Sequence, residues 1–129
     1  MLLYFPLSVA LEAEIKNLGE YGPFEVIVSP EGSSNGSAWG FKAWKSDGGY
    51  VIINGKEWGP YEDAWGPSFS SDGSAWGFWA EKSDGWYVII NGKEWGPYKD
   101  AGELSFSSDG SAWGFEAEKS DGRYVIING

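Results

Sequence analysis

The 129 residues include no cysteine and no histidine. Without cysteine there is no disulfide and no thiolate metal site. Without histidine, the commonest general base and the commonest metal ligand are missing together. Positive charge is scarce, with 9 Lys and Arg against 19 Asp and Glu and a net charge of −10. A phosphate backbone would be repelled, so nucleic acid is not an expected partner. An anionic membrane surface is disfavoured on the same ground. No apolar run approaches the roughly 18–20 residues that a spanning helix needs. The apolar opening stretch, Met1–Ala13, ends on small residues but lacks the basic start of a signal peptide. The compartment stays open, with the cytoplasm as the default expectation.

Aromatic residues make up 18% of the chain and apolar residues 42%, enough to bury a core. The 20 glycines point to short strands and tight turns. Internal self-similarity decides the reading. SAWGF occurs at Ser37–Phe41, Ser74–Phe78 and Ser111–Phe115, and VIING at Val51–Gly55, Val88–Gly92 and Val125–Gly129. KEWGPY occurs at Lys56–Tyr61 and Lys93–Tyr98, and every spacing is 37 residues. The same offset relates EWGPYE at Glu57–Glu62 to EYGPFE at Glu20–Glu25. The repeat region therefore spans 19–129, and residues 1–18 form a separate segment. Ser68–Gly92 and Ser105–Gly129 differ only at Trp79 against Glu116 and Trp86 against Arg123. Such near-identity indicates recent amplification or design.

One unit reads as four strands. SFSSDG (Ser68–Gly73) is a short strand closed by a turn, and SAWGFWAEK (Ser74–Lys82) is the second strand. Ser83-Asp84-Gly85 is a hairpin turn, with Asp starting it and Gly free to take positive φ. Trp86–Asn91 is a β-branched and aromatic strand. Asn91-Gly92 is a second hairpin signal, and Glu94–Asp100 is an edge-like fourth strand because its proline suits an edge. Four short strands in this length match the content of one propeller blade.

These residues resemble blades of the WD-repeat-like, TolB-like β-propellers. Such blades carry an S-P-D-G turn, an A-[FY]-x-A strand, a D-G-K turn and a Y-V-V-V-D-G-K strand. The matching stretches are Ser71–Gly73, Ala75–Ala80, Ser83–Gly85 and Tyr87–Lys93, with Ser29-Pro30-Glu31-Gly32 in the first copy. A weaker similarity joins Gly96–Gly102 and the Trp-Gly pairs to bacterial WG repeats, although the Gly-Tyr-Ile-Asp that follows their Trp is absent. The resemblance implies an all-β fold of four-stranded antiparallel blades, about three per chain. It is silent on function, because propellers serve many roles.

The order of strands is permuted. A fourth-strand sequence appears first, at Glu20, Tyr21, Gly22, Pro23, Phe24 and Glu25, while the last VIING has no fourth strand after it. Three blades are too few for a ring, which takes roughly four to eight, and open ends of a repeat stack expose an apolar face. The expectation is a cyclic homo-oligomer. Two chains would make six blades and three would make nine, with Glu20–Glu25 closing the ring against Arg123–Asn128 of a neighbour.

Candidate sites follow from where the repeat holds and where it breaks. The Asp-Gly pairs at Asp47, Asp72, Asp84, Asp109 and Asp121 read as turn chemistry, since one carboxylate per loop is too few for calcium. Trp39, Trp76, Trp113, Trp58 and Trp95 recur at fixed positions and read as packing between blades. The sharper alternative is a set of sugar-stacking platforms, as in a propeller lectin. Trp44, Trp65, Trp79 and Trp86 break the repeat, and most of the positions they occupy carry charge in other copies. That makes those positions read as solvent-facing, and the four tryptophans as candidates for a ligand or subunit contact. The carboxylates recur in several blades, which does not suit one acid–base pair, and no serine has a histidine to activate it. No catalytic, cofactor or metal site is expected. Residues 1–18 read as a short helix capped by Ser8, or as worn-down strands in the same register. The expected function is a non-catalytic, self-assembling propeller scaffold or binding module for an unidentified glycan or protein.

Overall fold

The computed structural model describes residues 22–128. The expected helix within residues 1–18, and Glu20 and Tyr21 of the expected closing strand, lie outside the described residues. Every regular element among the described residues is a β-strand. Sheet 1 holds β1 (Val26–Gly32), β2 (Trp39–Lys45), β3 (Gly48–Ile53) and β4 (Lys56–Tyr61). Sheet 2 holds β5 (Asp63–Ala64), β6 (Ser68–Phe69), β7 (Trp76–Lys82), β8 (Gly85–Ile90) and β9 (Lys93–Tyr98). Sheet 3 holds β10 (Asp100–Phe106), β11 (Trp113–Lys119) and β12 (Gly122–Ile127). Each sheet is an antiparallel meander in chain order, and the pairings repeat at the sequence offset. Phe41 opposes Ile52, Phe78 opposes Ile89, and Phe115 opposes Ile126.

Turn chemistry sets these boundaries. Asn54 and Gly55 take φ of 49° and 89°, as do Asn91 and Gly92 with 51° and 88°. Two consecutive positive φ values make the two-residue turn whose twist suits a hairpin. Gly48 and Gly85 are needed on a second count. A Cβ there would lie 2.7 Å from the Tyr61 and Tyr98 carbonyl oxygens respectively.

Two strand limits differ from those read in the sequence. The first strand of a unit begins well before SFSSDG: β10 starts at Asp100, which pairs with Glu118. The fourth strand correspondingly ends at Tyr98, so Lys99 alone passes from sheet 2 to sheet 3. The SF pattern marks only the half of this strand beyond a bulge between Ala101 and Leu104. In sheet 2 the same place holds Trp65-Gly66-Pro67, and the strand splits into β5 and β6, both paired with β7. Proline has no N–H for the ladder, so it sits where the strand is interrupted.

Alternation along each strand makes both faces of the middle sheet apolar. Phe78, Ala80 and Ile89 meet Val51, Ile53 and Ala64 in one core. Trp79, Val88 and Ile90 meet Ala101, Phe115 and Ala117 in the next. A third cluster on the far side of sheet 1 joins Phe41, Ala43, Tyr50 and Ile52, with Phe24, Ile27 and Trp39 packed on it. The fourth strand of one sheet leans on the second strand of the following sheet. Trp58 and Trp76 ring centroids are 5.3 Å apart, and those of Trp95 and Trp113 are 4.9 Å apart.

A hydrogen-bond ladder runs along the first turn of each unit. Asp72 Oδ1 accepts from the Ser70 hydroxyl (2.8 Å), the Ser74 amide (3.0 Å) and the Ser74 hydroxyl (2.7 Å). Asp109 repeats this with Ser107 and Ser111. Successive turns are then linked. The Asn35 amide donates to the Ser71 carbonyl, and the Asp72 amide to the Ser108 carbonyl, each at 3.1 Å. The same hydroxyl protons are shared with the next turn, Ser37 Oγ lying 3.0 Å from the Asp72 carbonyl oxygen and Ser74 Oγ 2.9 Å from that of Asp109.

Candidate functional site: the open side of the last sheet

The internal sheet contacts define what a covered face looks like. Val51 and Ile53 are 0% and 3% exposed, and Val88 and Ile90 are 0% and 2% exposed. Their equivalents in sheet 3, Val125 and Ile127, are each 68% exposed. The same side chains therefore stand in water at one end of the stack. Together with Glu103, Ser105, Trp113 and Glu116 they line a groove of about 480 Å³. Buried apolar side chains of this size each contribute roughly 1.5–3 kcal/mol, so an uncovered row has a strong tendency to find a cover.

The edge beside this face is open as well. In sheets 1 and 2 the third strand pairs with a fourth, through Val51 with Trp58 and Val88 with Trp95. Among the described residues, β12 pairs only with β11. A Cβ on Gly122 would meet nothing within 4 Å, where Gly48 and Gly85 face a fourth-strand carbonyl. Lys45 reaches Glu57 at 2.8 Å and Lys82 reaches Glu94 at 2.7 Å, both on fourth strands. The equivalent Lys119 lies over the Tyr124 ring at 4.7 Å, as Lys45 and Lys82 lie over Tyr50 and Tyr87 at 4.6 Å, but has no carboxylate among the described residues. Among the described residues the turn ladder stops here too: the Asp109 amide donates to no neighbouring turn, whereas the Asp72 amide does.

The fourth-strand sequence near the chain start holds the complementary arrangement. Gly22 has φ 125°, like Gly59 at 131° and Gly96 at 144°. Phe24 packs edge-on to Phe41 at 5.7 Å, in the place that Tyr61 takes on Phe78 at 6.0 Å and Tyr98 on Phe115 at 5.7 Å. Gly22, Pro23 and Phe24 belong to no sheet among the described residues, and the Glu25 amide donates to the Trp44 carbonyl at 2.8 Å.

The four tryptophans that break the repeat are not one site. Trp79 is 2% exposed, which corrects the reading of its position as solvent-facing. It fills the core between sheets 2 and 3, edge-on to Phe115 at 5.5 Å and Tyr98 at 6.0 Å. Its equivalents carry charge for separate reasons. Lys42 pairs with Asp63 at 3.2 Å across the first sheet contact, and Glu116 lies on the open face. The buried Trp79 indole N–H has no hydrogen-bond partner among the described residues. Trp65 is exposed and meets the half-buried Trp86 at 5.6 Å. Trp44 is half-buried, with the Lys42 ammonium 5.3 Å from its ring.

Trp44 and Trp86 vary as parts of a cross-strand pair. Trp44 opposes Gly49, Glu81 opposes Trp86, and Glu118 opposes Arg123. Trp44 spreads over Gly49, coming within 3.3 Å of where a Cβ would stand. The third pair is an ion pair at 3.6 Å. Each pair thus has one bulky member, or two long charged ones.

The ionisable groups are tied to structural partners. The Tyr50 hydroxyl donates to Asp47 at 2.7 Å; this bond, with burial and the charges of Asp47 and Glu57, pushes its pKa up to about 12. Burial, helped by the charge of Glu94, pushes Tyr61 up to about 12. Bonds from Ser74 and Ser111 respectively hold Asp72 and Asp109 below the usual carboxylate range. No group of three or more His, Cys, Asp or Glu among the described residues could hold a metal ion. No helix among them is long and apolar enough to cross a membrane.

Val125, Ile127 and Lys119 obey the repeat and so carry no local sequence signal, and Asp109 reads there only as turn chemistry. Among the described residues, their repeat-mates meet a further sheet, strand or turn that they do not meet. Compared with known protein families, curated proteins and solved structures, the chain matches none.

Proposed function

We propose that this chain is a non-catalytic, self-assembling β-propeller scaffold. Each four-stranded unit is one blade, and further copies of the chain complete the ring. The observation that carries this reading is the open face of sheet 3, whose Val125 and Ile127 are the exposed counterparts of Val51, Ile53, Val88 and Ile90. A surface that repeats two internal contacts is suited to a third contact of the same kind. Two chains would give six blades and three would give nine. The absence of histidine and cysteine, and the use of Asp47, Asp72, Asp84 and Asp109 in turn hydrogen bonds, support a structural role for the polar groups. Multi-angle light scattering at micromolar concentration tests the proposal. A whole multiple of the 14.1 kDa chain is expected. A monomer with native β circular dichroism overturns it.

A further inference from the structure

Resting on that self-assembly reading, we infer a specific junction between copies: the Glu20–Glu25 strand of a second copy pairs with β12, and its Glu20 forms an ion pair with Lys119.

Four observations at separate residues define the partner. Among the described residues the edge of β12 has no fourth strand, and Glu20–Glu25 has a fourth-strand sequence. Phe24 already lies on Phe41 as fourth-strand tyrosines lie on Phe78 and Phe115. The repeat offset then sets the register without adjustment. In sheet 2, Trp86 opposes Tyr98, Val88 opposes Trp95 and Ile89 opposes Glu94. The equivalent junction places Arg123 opposite the second copy's Phe24, Val125 opposite its Tyr21, and Ile126 opposite its Glu20. Lys119 stands to Glu20 as Lys82 stands to Glu94. Gly122 gains the fourth-strand carbonyl that its equivalents already face.

The turn ladder fits the same placement. The Asp109 amide would donate to the second copy's Ser34 carbonyl, as Asp72 donates to Ser108. A charge that would oppose the contact is also missing. Lys42 meets Asp63 at the first sheet contact. At the new junction Glu116 takes the place of Lys42, and Val26 takes the place of Asp63. A carboxylate at residue 26 would repel Glu116; valine, 51% exposed in the single chain, does not. The incoming sheet must take its place against Phe41 and Ile52, which are buried within their own chain.

The chain has no cysteine, so two introduced thiols are the only ones present. A disulfide needs Cα atoms within about 4.4–6.8 Å, which only matched positions reach. The full chain carrying Val125→Cys and Tyr21→Cys is oxidised and run without reductant, beside a control with Val125→Cys and Phe24→Cys. Disulfide-linked oligomers from the first and none from the control are expected. Equal cross-linking by the control overturns the register, and a bond within one chain overturns the exchange between copies. An assembly that persists with no cross-link in either overturns this junction and leaves self-assembly standing. An unsubstituted chain that is monomeric overturns both.

Charge reversal gives a second measurement if the thiol variants do not fold. Lys119→Glu alone and Glu20→Lys alone should each weaken association by about 1.5- to 5-fold, the loss of one partly exposed pair. The double variant should recover it. Single reversals that leave the association constant unchanged overturn the ion pair.

Discussion

Trp79 is the largest fully buried side chain among the described residues. Its indole is enclosed between sheets 2 and 3, so truncation leaves a cavity. Trp79→Ala should cost roughly 3–5 kcal/mol in chemical denaturation. Trp65→Ala, at an exposed residue, should cost less than about 1 kcal/mol. Trp79→Phe should cost clearly less than Trp79→Ala, because it keeps an aromatic ring against Phe115 and removes the unpartnered buried N–H. A Trp79→Ala loss no larger than that of Trp65→Ala would contradict the packing described. Tyr61 makes a second residue-scale prediction. Its pKa is raised from 10.0 to about 12 in the fold, so folding favours the neutral phenol. Its contribution is present in full below pH 10 and is lost as pH rises through about 12. The melting temperature should fall over that window, and Tyr61→Phe should flatten the fall.

At the scale of elements, the paired strands vary by compensation. Trp44 occupies the space over Gly49, while in sheet 2 the bulk is on Trp86 and the opposing residue is Glu81. Gly49→Trp alone should overpack this site and destabilise by about 1–3 kcal/mol. Adding Trp44→Glu rebuilds the sheet 2 pair inside sheet 1 and should recover most of the loss. A double-mutant cycle measures the coupling, expected between about 0.5 and 3 kcal/mol; additive effects would show that the two positions are independent. The turns offer another element-scale test. Ser74 and Ser70 hydrogen bonds lower the Asp72 pKa, so its stabilisation is present above the unfolded value of 3.8 and lost as pH falls through the folded one. Asp72→Ala should lower the melting temperature at pH 7 and shrink the further drop on acidification. Asp72→Asn, which keeps one acceptor oxygen, should lie between.

The three sheets of the described residues pack in chain order and present unlike outer sides. One end presents Val125, Ile127 and an unpaired strand edge, and the other presents Phe24 already seated on Phe41. On the proposed self-assembly, unlike sides would meet head to tail, which gives a ring where the rotation closes and a filament where it does not. If the proposed assembly forms, Ile127→Asp should reduce it to monomers by light scattering while leaving the sheet contact around Phe78 intact, as read by retained β circular dichroism. Deletion of residues 1–25 should abolish the defined oligomer and give aggregates or open filaments. Deletion of residues 1–18 keeps Glu20–Glu25 and should preserve assembly. Equal behaviour of the two truncations would place the contact elsewhere.

The local rules of this fold were legible in the residues themselves. Asn-Gly and Asp-Gly turns, β-branched third strands and a 37-residue offset state the strand count, the hairpin order and the pairing of equivalent positions, because these depend on neighbours in sequence. The side of the sheet on which a residue meets another sheet depends on distant chain, and there sequence comparison misled. Lys42, Trp79 and Glu116 share one position, yet they face an Asp63 carboxylate, a closed aromatic core and open water. Tolerance of charge at two copies therefore said nothing about burial at the third. Likewise Val125 and Val51 have identical neighbours in sequence, and only the presence or absence of a covering sheet separates 68% exposure from none. A repeat makes its units alike, and position in the stack decides which of their faces remain unfilled.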